Sequence, residues 1–124
     1  MLILQRVEPL YDTPTARAVK RALDTERFTA WLAEQSPYSS FEAGVSQCPI
    51  GCYLREHVGV RNVAVYLGHA HWDEGDERTG RANEVKLPPA FQRFLRTYLK
   101  LPQHPTPIGI ETVRRLWRGV SVSA

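Results

Sequence analysis

Four residues stand out for the chemistry their types allow: Cys48, Cys52, His69 and His71. Cys48 and Cys52 have three residues between them, which on a helix sets their sulfurs about one turn apart. His69 and His71 are two apart, which on an extended segment turns both imidazoles to one face. Two thiolates and two imidazoles can make a tetrahedral zinc set. The spacing argues against it, because the usual knuckle carries its cysteines in a turn and its histidines on a helix. A chain of 124 residues also has core enough to fold without a metal staple. The expectation is no zinc or other metal and no cofactor, with Cys52 packed as a small apolar side chain.

Cys48 has a second claim. Pro49 follows it, so it is predicted to cap a helix at its N-terminus. Backbone N–H groups and the helix dipole there favour a thiolate, which predicts a partly accessible, reactive sulfur with a lowered pKa. A nearby histidine would complete a nucleophile and base, but no third orienting group is evident. No residue is assigned a catalytic role; a non-catalytic protein is expected ahead of a thiol or zinc enzyme centred on Cys48.

The acids and bases are unevenly placed. Residues 73–84 carry five acids and two bases, and residues 85–124 carry seven bases and one acid. Asp73, Gly75, Asp76, Glu77 and Glu84 look superficially like a calcium loop, with Glu84 at position twelve from Asp73. Positions three and five are Gly75 and Glu77, so the ligand alternation fails and an exposed acidic loop is expected over 73–84. Arg93, Arg96 and Lys100 fall at i, i+3 and i+7, and Arg114, Arg115 and Arg118 crowd the last helical segment. These six are predicted to form a binding surface for an acidic partner, a protein in the first place and nucleic acid as the alternative. A helix-turn-helix fits poorly, because the connection Leu101–Pro105 holds two prolines and no glycine.

These side chains need elements to hold them. Thr13-Pro14 opens a helix with Ala16, Val19 and Leu23 on one face, and Asp24 caps a second with Phe28, Trp31 and Leu32. A short strand is expected within Phe41–Val45, and a third helix from Cys48-Pro49 to about His57. Alternation over Asn62–Leu67 gives the best strand, and Val85-Lys86-Leu87 is expected to return beside it. Pro88-Pro89 starts the cleanest amphipathic helix, with Phe91, Phe94, Leu95, Tyr98 and Leu99 on one stripe. Thr106-Pro107 is expected to open the last helix, with Ile110, Val113, Leu116 and Trp117 inward. Met1-Leu2-Ile3-Leu4 is expected as a strand or a buried tail.

The segments Phe28-Thr29-Ala30-Trp31-Leu32 and Cys48-Pro49-Ile50-Gly51-Cys52-Tyr53-Leu54 carry a resemblance. The chain resembles small uncharacterised proteins of bacteria, cyanobacteria in particular, and of their phages. Those show F-x-x-W-L, then C-P-I/L-x-x-Y/F-L, a β segment, an aromatic helix and a short last helix. The likeness spans roughly residues 25–118. It implies an accessory protein of phage or mobile-element type and no particular activity. In that group a small residue usually stands at the second cysteine, which speaks against Cys52 as half of a ligand pair.

No apolar run is long enough to cross a membrane, the opening MLIL is too short for a signal peptide, and two cysteines make no disulfide framework. A cytoplasmic protein with no membrane partner is expected. The fold class expected is α+β, a single domain over 1–124, mostly helical, with four or five short helices around a two- or three-stranded β element.

Overall fold

The computed structural model describes residues 13–42, 47–73, 82–101 and 107–121. Helix α1 (Pro14–Ala22) starts as its sequence demands: Thr13 Oγ1 accepts the Ala16 N–H at 3.0 Å, and Pro14 occupies the first turn. Asp24 does the same for α2 (Thr25–Glu34), accepting the Arg27 N–H at 3.0 Å. Buried Leu23 leaves helical geometry between them, so α1 and α2 are two separate helices. Helix α3 (Pro49–His57) ends where Gly59, at φ +88°, donates its N–H to the Leu54 carbonyl. Helices α4 (Pro89–Tyr98) and α5 (Ile110–Ser121) complete five among the described residues.

The strands form two small antiparallel sheets. Ser40–Phe41 (β1) pairs with Ile108–Gly109 (β5). Arg61–Val65 (β2), His69–Asp73 (β3) and Ala82–Lys86 (β4) form a second sheet in the order β2-β3-β4. The fold is thus α+β and mostly helical, as expected.

Three local expectations need correction. The strand ending the acidic stretch does not return beside β2, because β3 lies between them. A turn at residues 66–68 folds β3 straight back, with the Tyr66 N–H on the His69 carbonyl at 2.8 Å, and leaves Leu67 half exposed. The exposed loop expected over 73–84 is shorter, since Asp73 closes β3 and Glu84 sits within β4, and residues 74–81 lie outside the described ones. The last helix begins at Ile110 rather than at Pro107. Its first N–H is held by the Ser39 carbonyl at 3.0 Å, and β5 pairs with β1 just before it. Met1–Leu4 and Thr106 lie outside the described residues.

Strand β2 carries a bulge. Arg61 faces Asp73 while Ala64 faces His71, so β2 holds one more residue than β3 across this span. Asn62, at φ +52°, takes up the left-handed turn that the bulge requires.

One cluster of buried side chains fills the molecule. It includes Trp31, Phe91, Phe94, Leu95 and Val113, expected there from periodicity, together with Ile50, Tyr53, Leu54, Val63 and Val65. Phe28 sits at its centre, in ring contact with Trp31, Tyr53, Phe91, Phe94 and Trp117. Each fully buried side chain of this kind contributes roughly 1.5–3 kcal/mol. Val63, Val65, Ala70, Trp72 and Val85 turn the inner face of the sheet onto this cluster. Among the described residues, no helix is long and apolar enough to cross a membrane.

Candidate functional site

The thiols differ from expectation. Cys48 does stand at the N-cap of α3, but its sulfur makes no capping bond and only 1% of the residue is exposed. Burial pushes this thiol up from 9.0 to about 11. The N–H groups of Gly51 and Ile50 pull the other way, as helix-terminus reasoning supposes, but desolvation is the larger effect. Cys48 is therefore a packed, protonated core residue and not an activated nucleophile. Cys52 is half-buried, and burial raises its pKa despite the Arg55 guanidinium, whose N–H donates to its sulfur at 3.3 Å.

The six predicted bases divide by what they touch. Arg114 extends from α5 to the end of α2, where its guanidinium donates to the carbonyls of Leu32, Ala33 and Gln35. It also pairs with Glu111 at 2.6 Å. Arg93 donates to the Val120 carbonyl at 3.2 Å, near the end of α5. Helix C-termini leave carbonyls without intrahelical partners, and a guanidinium supplies both the donors and the charge they favour. Arg114 and Arg93 thus join helices together. Arg96, Lys100, Arg115 and Arg118 are exposed.

A basic groove does form, with a member the sequence reading missed. Lys86, Arg93 and Arg96 line a depression of about 590 Å³ with Leu87, Pro88, Pro89 and Gln92. The groove exists because β4 runs straight into α4 and Gln92 ties the junction, donating to the Leu87 carbonyl at 2.7 Å. A second cleft of about 470 Å³, lined by Lys20, Leu23, Glu84, Val85, Lys86 and Pro88, shares Lys86 and Pro88 with the first. Arg93 Nε lies in this region buried and without a hydrogen-bond partner. Lys86 escaped notice because helical spacing alone grouped the bases. The alternation of Val85 and Leu87 was the available signal, since it turns residue 86 outward.

The histidines behave as their spacing predicted, with both on the outer face of β3 and their ring centroids 4.7 Å apart. The cysteines do not join them. Among the described residues, the group able to offer three ligand atoms is His69, His71 and Glu84. Glu84 was assigned to the loop, but β4 places it directly opposite His71.

Compared with protein-family models, with curated proteins and with solved structures, the chain matches none.

Proposed function

We infer that this chain is a small non-catalytic interaction protein that binds an acidic macromolecular partner, a protein in the first place. The observation that carries this reading is the pair of adjoining depressions where, among the described residues, Lys20, Lys86, Arg93 and Arg96 meet a single acid, Glu84. Converging like charges raise the local field and attract an oppositely charged surface. Leu87, Pro88 and Pro89 give the groove an apolar lining, which suits a peptide or protein anchor better than a phosphate backbone. The bases come from α1, β4 and α4, three elements fixed by the core, so the surface is organised before any partner arrives. Nucleic acid is the alternative, and salt dependence separates the two.

The test is fluorescence anisotropy with two probes, an acidic peptide and a duplex oligonucleotide, against the wild type and Lys86→Glu/Arg96→Glu. Both positions are exposed, so the variant should keep its melting temperature. The expected result is peptide binding weakened more than about tenfold by the double reversal, a loss of about 1.4 kcal/mol. Binding to the duplex that falls by about 10³ or more between 50 and 200 mM salt would assign nucleic acid instead. If the wild type binds neither probe, or the reversed protein binds as well as the wild type, the groove is a solvated face.

A further inference from the structure

We propose that His69, His71 and Glu84 form a binding site for one divalent transition-metal ion, zinc(II) in class, on the outer face of the three-stranded sheet. This departs from the expectation of no metal, which weighed a different set of ligands. The site follows from register. Side chains on a strand alternate, so His69 and His71 share a face, and Ala70 and Trp72 between and beyond them point into the core. Glu84 pairs with His71 across the β3–β4 ladder and joins that face. The ligand atoms of all three residues lie within 4.8 Å of one another.

Two further observations favour an ion over a plain surface cluster. His71 Nε2 is screened from solvent and has no hydrogen-bond partner, although its side chain as a whole is 33% exposed. Glu84 Oε1 stands 3.5 Å from that nitrogen, yet the pair lacks hydrogen-bond geometry. In a tetrahedral zinc site, with bonds of about 2.0–2.1 Å, neighbouring donors stand roughly 3.4 Å apart. The His71–Glu84 separation already matches that spacing, and the His69 donor lies within 4.8 Å of both. Two imidazoles and one carboxylate suit zinc and its neighbours rather than calcium or magnesium, which prefer all-oxygen sets.

Three protein donors leave at least one position open, so the site would take water or an exogenous ligand rather than close as a structural zinc centre. Tyr66 walls one side, its ring 5.3 Å from that of His71 and 6.1 Å from that of His69. Lys86 stands opposite His69 in the register, so a bound anion on the open position would meet a positive neighbour.

Calorimetric titration of the chelator-treated full chain with zinc chloride tests the site, with cobalt(II) absorption as a second readout. One ion per chain is expected, weakened more than about tenfold in His71→Ala and in Glu84→Gln, because even outer-shell losses reach that size. His69→Gln is a third variant, and circular dichroism checks that each one folds. Cys48→Ser and Cys52→Ser should bind as the wild type does. No binding by the wild type would overturn the proposal. So would binding that survives all three triad substitutions, or that is lost with either cysteine.

Discussion

The Tyr53 hydroxyl donates to the carbonyl oxygen of Ala22 at 2.6 Å, tying the middle of α3 to the last residue of α1 within the core. Ala22 keeps a second partner in the Asp24 N–H at 2.8 Å, so removing the hydroxyl does not orphan the carbonyl. Tyr53→Phe should therefore cost only about 0.5–1.5 kcal/mol in urea unfolding. Tyr53→Ala also removes the ring that packs on Phe28 and Trp31, and should cost about 3–5 kcal/mol. Equal losses from the two variants would show that the bond, and not the ring, matters.

Arg114 and Arg115 are neighbours in sequence with different work. Arg114→Met should destabilise the fold by about 1.5–3 kcal/mol, because the carbonyls ending α2 lose a charged donor. Arg115→Met should stay within about 0.5 kcal/mol of wild type, as exposed positions do. Thermal or urea unfolding of both decides it, and equal effects would refute the helix-joining role of Arg114.

The thiols should react in a fixed order. With Cys48 buried and raised to about 11, Cys52 should be labelled first by a thiol reagent at neutral pH, and Cys48 only on unfolding. Between about pH 9 and 11 the unfolded chain has released the Cys48 proton while the folded chain still holds it, so stability should fall as pH rises. Tyr53, which burial raises from 10.0 to about 12, adds to the fall above pH 10. Cys48→Ala should flatten the lower part of that decline. Rapid labelling of Cys48 in folded protein would contradict its burial.

Phe94 tests the aromatic core. It is fully buried against Phe28, Tyr98 and Trp117, and Phe94→Ala should cost about 3–5 kcal/mol. Tyr38, 92% exposed, should tolerate alanine with almost no change. Comparable melting points for the two variants would mean that the helices pack differently.

The helices and their inward faces were legible in the sequence because caps, prolines and a 3.6-residue period act locally. Thr13-Pro14, Asp24 and Cys48-Pro49 mark three starts, and the stripe from Phe91 to Tyr98 marks a fourth helix without help from distant residues. Pairing between strands was less legible. His69–Asp73 holds two histidines, an alanine, a tryptophan and an aspartate, a poor strand by composition, and it is made by the turn before it and by ladders on both sides. The pairing of Glu84 with His71 depended on that missing strand, so the triad was not readable beforehand, whereas Lys86 could have been placed from the alternation of Val85 and Leu87. Cys48 shows a different limit. Its place at the helix start was legible, but the desolvation that sets its chemistry comes from side chains remote in sequence.

The bulge at Asn62 has a consequence for how this chain can change in length. Arg61, Val63 and Val65 share one parity, so in an unbroken ladder the arginine would face inward with the two valines. The extra residue resets the phase, and Arg61 is exposed. Deleting Asn62 alone would set Arg61 beside Val63, where ordinary alternation already turns the arginine outward and the valine inward, so the ladder would close without its bulge. Deleting two residues would instead drive a guanidinium into the apolar core or slip the hairpin and turn the valines to solvent. At this point of the chain, tolerance to deletion is set by odd or even number rather than by how many residues are lost.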